Sequence, residues 1–190
     1  KQGIKLLNAY ILTGGKSRRM GQDKSLMKLG ELTFAEFLYN NLETQFDSVT
    51  LIGKKQTHPH LPFARDNQEI QCALNGLATA LNHSNTPWNF IISVDMPLVS
   101  AGLISSLKDN INDEVNSVVP TLDGKSFPTC AWYHKSMESI FVEAIEHEKY
   151  KLLYHVKRNA PKMVNAEKFR KDLLNVNTPT DYLLLKKFMI

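Results

Sequence analysis

The chain has 190 residues, with 23 lysines and arginines against 19 aspartates and glutamates, a net charge of +4. That length fits one domain over 1–190, able to bury about 70% of the unfolded chain's surface, and no Pro/Gly/Ser-rich linker divides it. The cations are dispersed among acids without interleaved aromatics, which excludes a nucleic-acid stripe and favours a phosphorylated small substrate. No apolar run reaches the ~18 residues of a membrane span, and two cysteines, Cys72 and Cys130, are too few for a disulfide framework and lack metal-ligand spacing. The expectation is a cytoplasmic protein with reduced, structural thiols.

Asn8, Ala9, Tyr10, Ile11 and Leu12 form a short apolar run ended by Gly14 and Gly15, the pattern of a buried strand that turns sharply. Phe34, Phe37, Leu38 and Leu42 recur at helical spacing, and residues 49–53 read as a strand ending at glycine. The pair His58 and His60 has no further ligand at zinc-site spacing and reads as a loop with exposed histidines. A second helix is marked by Leu74, Leu77, Ala78 and Leu81, a strand by 90–94, and a third helix by Leu103, Ile104, Leu107 and Ile111. Residues 117–120 and 129–133 read as strands, while Met137, Ile140, Phe141, Ala144 and Ile145 mark another amphipathic helix. Leu183, Leu184 and Leu185 read as core packing rather than an anchor. The alternation predicts an α/β fold, a three-layer α/β/α sandwich on a mostly parallel sheet, with ligands beyond the carboxyl ends of the strands.

The turn after the first strand carries Lys16, Arg18, Arg19 and Lys24. Each could gain roughly 4 kcal/mol from a phosphate oxygen at about 4 Å and intermediate dielectric, before desolvation. It is not a P-loop, because Tyr10 stands where the first glycine is required, and a dinucleotide fingerprint would need glycines at Lys16 and Arg19. A surface turn with solvated charges is the plain alternative. Farther on, Asp95 lies at the end of an apolar strand and just before Pro97, where a carboxylate suits either a magnesium ion, which needs only one or two protein carboxylates beside substrate phosphates, or the cap of the next helix. Asn175, Asn177, Thr178, Pro179 and Asp181 make a helix-start motif that capping explains at Thr178 and Asp181 but less well at the two asparagines.

The run Leu12-Thr13-Gly14-Gly15-Lys16-Ser17-Arg18-Arg19-Met20-Gly21-Gln22-Asp23-Lys24 resembles the nucleotidyltransferase loop of the molybdenum cofactor guanylyltransferases of MobA type, with Thr13 where alanine is common. Asp95 with Pro97, Asp66 followed by Gly76, Pro128 with Thr129, and the asparagines 175 and 177 also resemble that family, in order. The segment Gln71-Cys72-Ala73 departs from it by lacking the usual glycine and proline.

The resemblance implies a Rossmann-like nucleotidyltransferase fold and transfer of GMP from GTP to the terminal phosphate of molybdopterin, with Mg2+ as cofactor and pyrophosphate as leaving group. It implies contacts to GTP from Leu12, Thr13, Gly14, Gly15, Lys24, Asp66, Gly76 and Asp95. Lys24 would face the α-phosphate, Arg18 or Arg19 the departing pyrophosphate, and Asp95 the metal, while Pro128, Thr129, Asn175 and Asn177 would receive the pterin. Asp66 reads as a guanine selector, a ribose or metal contact, or a solvated loop carboxylate. Transient contacts with other proteins of molybdenum-cofactor biosynthesis, or with acceptor enzymes, are further expectations, with neither nucleic acid nor membrane as partner. The rival readings are a cytidylyltransferase or sugar- or polyol-phosphate nucleotidyltransferase, and a noncatalytic GTP sensor.

Overall fold

The computed structural model describes residues 7–14 and 23–188. Strand β1 (Asn8–Leu12) lies at the centre of an eight-stranded sheet, between β4 (Ser48–Gly53) and β6 (Trp88–Ser93), and is parallel to both. Beyond β4 the sheet ends in parallel β5 (Phe63–Arg65). Beyond β6 it continues through β9 (Cys130–His134), β7 (Ser117–Leu122) and β10 (Pro161–Asn165), and β8 (Lys125–Ser126) forms a hairpin with β7. A separate two-stranded ribbon joins β2 (Lys28–Leu29) to β3 (Leu32–Thr33).

Alternation along each central strand feeds two cores. Ala9, Ile11, Phe90, Ile92 and Trp132 pack on one face, under α1 (Phe34–Glu43), α3 (Ala101–Lys108) and α6 (Pro179–Lys187). Tyr10, Leu12, Ile91, Ala131 and Tyr133 pack on the other, under α2 (Ala73–His83), α4 (Met137–Glu146) and α5 (Leu152–Lys157). The period of two in the strands therefore produces the expected three layers. Helix α1 starts at a full capping box between Thr33 and Glu36, and α6 at another between Thr178 and Asp181 with Pro179 in its first turn.

One strand direction is left open by the sequence, and three expectations need correction. Strand β9 runs antiparallel to both β6 and β7, which turns its first residues toward the carboxyl edge of the parallel strands. Helix α3 stops at Lys108, so Ile111 packs from the following loop. Of the three leucines near the C-terminus only Leu185 is buried, and Leu183 and Leu184 are exposed, because α6 touches the core along one line of side chains. His58 is buried, at 3% exposure, while its neighbour His60 is exposed as expected.

Gly53, the last residue of β4, is required by a close approach. A Cβ there would lie 2.4 Å from Thr13 Oγ1, whose hydroxyl donates to Ile52 O at 2.9 Å. Gly53→Ala should destabilise the fold by about 1–3 kcal/mol, the usual range for overpacking. Thermal unfolding of Gly53→Ala with and without Thr13→Ala tests this, and the second substitution should recover most of the loss.

Candidate active site

Parallel pairing sets the floor of the site. Leu12 of β1 is in register with Ser93 of β6 and with Ile52 of β4, so three strands end side by side. Val94 N donates to Leu12 O at 3.0 Å, and Thr13 N to Ile52 O at 2.8 Å, which carries the chain past the sheet edge still tied to it. Asp66 N donates to Gly53 O at 2.8 Å and places that carboxylate on the same edge. The reversed β9 supplies the other wall, with Ser93 N donating to Thr129 O at 2.7 Å.

Between these walls lies a cleft of about 280 Å³, lined among others by Leu12, Gly14, Asp66, Cys72, Gly76 and Thr129. The start of α2 faces it, since Gln71, Cys72 and Ala73 also line it and Cys72 is the N-cap residue without a side-chain capping bond. That end presents backbone N–H groups and positive dipole to whatever enters. Gly76 lets α2 approach β1 closely, because a Cβ there would lie 3.1 Å from Leu12 Cδ2. Cys130 is fully buried and structural, whereas Cys72 reaches the cleft. Its place was readable only as the residue preceding the second helical pattern.

Next to the cleft, Lys24 projects from a 3₁₀ turn, Lys24–Leu26, capped by Asp23. Its Nζ donates to Asp95 Oδ2 at 3.1 Å and to Asn177 Oδ1 at 2.6 Å, with the Lys24 and Asp95 side chains 13% and 16% exposed. Asn177 Nδ2 in turn donates to Asn175 Oδ1 at 2.6 Å. The C-terminal segment is pinned over Asp95 by Val176 N donating to Asp95 O at 2.8 Å. Residues 24, 95, 175 and 177, remote in sequence, thus form one polar cluster. Asp95 does not cap the next helix, because Ser100 does so for α3.

Two carboxylate oxygens here, Asp95 Oδ1 and Asp66 Oδ1, are buried without a hydrogen-bond partner. Such atoms in a native site ask for an ion or a ligand donor. Among the described residues no group of three or more His, Cys, Asp or Glu gathers to cage a metal. A hard cation completed by water and phosphate oxygens fits the single free oxygen of Asp95. Burial raises the Asp66 carboxyl above its ordinary range, against a smaller opposing pull from Lys54.

A raised folded pKa stabilises the fold below the ordinary carboxyl range, and that contribution is lost as pH rises through the folded value. At neutral pH the ionised Asp66 therefore works against folding. Asp66→Asn should raise the thermal midpoint near about pH 7, with the gain shrinking toward about pH 4. Calorimetric scans across that range measure it.

Gly15, Arg18 and Arg19 lie outside the described residues. Pro128 and Thr129 sit at the turn into β9, where Pro128 O accepts from Tyr133 Oη at 2.6 Å and Thr129 borders the same cleft as Asp66.

A cleft of about 280 Å³ at the carboxyl edge of a parallel sheet, faced by a helix N-terminus and with the Lys24–Asp95 cluster at the same edge, has the setting in which α/β folds bind nucleotides. The MobA-like NTP transferase domain matches residues 9–160. A probable molybdenum cofactor guanylyltransferase of Carboxydothermus hydrogenoformans is 33% identical, over 97% of this chain and 98% of the relative. The molybdopterin-guanine dinucleotide biosynthesis protein A of Archaeoglobus fulgidus superposes with a TM-score of 0.83 at 22% identity, covering 96% of this chain and 98% of that one. The 2-C-methyl-D-erythritol 4-phosphate cytidylyltransferase of Thermus thermophilus shares the fold at a TM-score of 0.74 and 15% identity, over 96% and 98% of the two chains. The chain belongs to the MobA-like nucleotidyltransferases, the family of the molybdenum cofactor guanylyltransferases. Among the described residues no helix is long and apolar enough to cross a membrane.

Proposed function

We propose that the protein transfers GMP from GTP to the terminal phosphate of molybdopterin, releasing pyrophosphate and forming the guanine dinucleotide form of the cofactor. The observation that carries this reading is the cluster of Lys24, Asp95 and Asn177 at the mouth of β1, beside a cleft that holds Asp66 and Gly76. The names of the relatives support the guanylyl donor and the pterin acceptor. The shared fold with a cytidylyltransferase leaves the choice of base to side chains.

The incoming phosphate is already a nucleophile, so positioning and charge neutralisation carry the reaction and no Ser, Cys or His nucleophile is required. Lys24 places its ammonium group toward the α-phosphate, where charge grows as the bond to pyrophosphate breaks. Gly14 and Gly15 offer backbone N–H groups to the phosphates, and Arg18 or Arg19 neutralises the leaving pyrophosphate. Asp95 would hold Mg2+, while its Oδ2 orients Lys24. When bound, the ion neutralises phosphate charge and orients the donor. Asn177, which Asn175 holds in turn, fixes Lys24 from the acceptor side, and Asn175, Asn177, Pro128 and Thr129 receive the pterin. Such a reaction suits the cytoplasm, where GTP is at hand.

Asp66 selects the base by accepting from guanine N1–H and the exocyclic amino group, which would give its unpaired oxygen a donor. Competition between GTP and inosine triphosphate, which lacks the amino group, tests this. The native enzyme should prefer GTP by about tenfold or more, the range of one hydrogen bond to a charged group, and Asp66→Asn should remove most of that preference. Equal use of both triphosphates by the native enzyme would move Asp66 away from the base.

A further inference from the structure

The loop that turns over after β4 buries a histidine whose two ring nitrogens both meet hydroxyl groups, and the chain of contacts it belongs to ends at the turn that carries Lys24. From one end, Thr33 Oγ1 donates to Glu36 Oε2 at 2.8 Å and meets His58 Nε2 at 2.9 Å. On the other side of the ring, His58 Nδ1 meets Thr57 Oγ1 at 2.9 Å, and Thr57 Oγ1 meets Ser25 Oγ at 3.3 Å. Ser25 Oγ donates to Asp23 Oδ1 at 2.7 Å, and Ser25 N donates to the same oxygen at 2.9 Å. Ser25 is fully buried and directly follows Lys24.

Counting hydrogens fixes the direction of this chain. A carboxylate only accepts, so the Thr33 hydroxyl hydrogen goes to Glu36 and the Ser25 hydroxyl hydrogen goes to Asp23. Thr33 Oγ1 must then accept, which places a hydrogen on His58 Nε2. A neutral ring with that tautomer leaves Nδ1 as an acceptor. The Thr57 hydroxyl can then serve Nδ1 or Ser25, but not both, and one contact lacks a hydrogen. The longest of them, Thr57 to Ser25 at 3.3 Å, is the one that yields. An imidazolium ring supplies the missing hydrogen: Nδ1 donates to Thr57, Thr57 donates to Ser25, and every contact between the two carboxylates is filled.

We propose that His58 is a positioning residue for Lys24, acting through Thr57 and Ser25, and that gaining a proton at Nδ1 reverses the Thr57 hydroxyl and locks the Lys24 turn. The inference rests on the reading of Lys24 as the α-phosphate ligand. The groups that face the ring are Glu36 on α1, Asp23 before the turn, Lys28 on β2 and His60 in its own loop. Burial is the largest influence and holds the ring below its ordinary range, Glu36 and Asp23 pull it up, and His60 and Lys28 push it down. The neutral ring with the weak link is therefore the resting form at neutral pH, and acidification tightens the turn.

The test combines NMR of the full chain, labelled with 15N, and turnover with GTP and molybdopterin. In the ligand-free protein the ring should show the Nε2–H tautomer, and the Ser25 amide should titrate together with the His58 ring as pH falls below the ordinary histidine range. Thr57→Val should uncouple the two. In turnover below the ordinary histidine range, where the native link is filled, Thr57→Val should lower kcat about tenfold with KM for GTP within about twofold, since an ångström of misplacement is worth up to about a hundredfold. His58→Gln keeps the Nε2 donor but removes the Nδ1 acceptor, which frees the Thr57 hydroxyl for Ser25, so it should hold the acid-side rate and lose the native enzyme's pH dependence through the His58 titration. A Ser25 amide indifferent to the His58 titration would overturn the proposal. So would a native kcat and pH profile in Thr57→Val, a native pH profile in His58→Gln, or a loss in His58→Gln equal to that in Thr57→Val, which would report packing around the ring alone. A native protein that shows the coupling yet turns over no GTP would instead overturn the guanylyl reading.

Discussion

Lys24→Ala is expected to lower turnover by about 10²–10³-fold, the loss typical of removing one donor aimed at developing charge. The effect should fall on kcat more than on KM for GTP, because the ammonium group is matched to charge that grows during phosphoryl transfer. The substitution also leaves Asp95 Oδ2 without its cation and Asn177 Oδ1 without its donor. An unfolding loss of about 1–3 kcal/mol should therefore accompany it, the range for stranding a buried partner. Single-turnover kinetics alongside denaturant unfolding separates the two effects. Lys24→Arg keeps the charge but not the point geometry, since a planar fork cannot sit between Asp95 and Asn177 as an ammonium group does, and should recover only part of the rate.

Asp95→Ala is expected to be at least as damaging, by about 10³-fold, because a metal at a phosphoryl centre is worth several kcal/mol of transition-state stabilisation and each 1.36 kcal/mol is tenfold. Asp95→Asn offers a sharper reading. It keeps an oxygen that can face Lys24 but loses the negative charge, so the Mg2+ concentration needed for half-maximal rate should rise while folding is largely kept. A magnesium titration of activity in both variants checks this. If Asp95 served only to hold Lys24, the asparagine variant would keep the native magnesium dependence.

How much of this was readable in the sequence differs from element to element. The strands that end at Leu12 and Ser93 announced themselves by apolar runs closed by glycines or by Asp95 and Pro97, and the helices by the spacing of their leucines and phenylalanines. Side-chain periodicity carries no sign of strand direction, so the reversal of β9 was not legible, and with it the placement of Thr129 on the wall of the cleft. Lys24 and Asp95 stood out through the resemblance, but their contact did not, because 71 residues separate them and only the parallel pairing of β1 with β6 brings the two segments together. Asn177 was recognisable as poorly explained by capping, and its bond to Lys24 supplies the reason.

His58 was misread for a related cause. A histidine pair beside a proline looks like a solvated loop, and nothing local reveals that Thr33 and Thr57 converge on one ring, with Ser25 behind Thr57. The leucines of α6 failed in the opposite direction, since a hydrophobic triplet on a helix points to three different sides and only Leu185 meets the core.

The most direct test of the account is pyrophosphate release by the native enzyme in the presence of Mg2+ and molybdopterin, with GTP and CTP compared at equal concentration and the pterin product identified by mass. Fast release with GTP, negligible release with CTP and a product heavier by one guanylyl group, GMP less a water, are predicted. Fast release with CTP and none with GTP, or uptake of GTP with no transfer to the pterin, would contradict it.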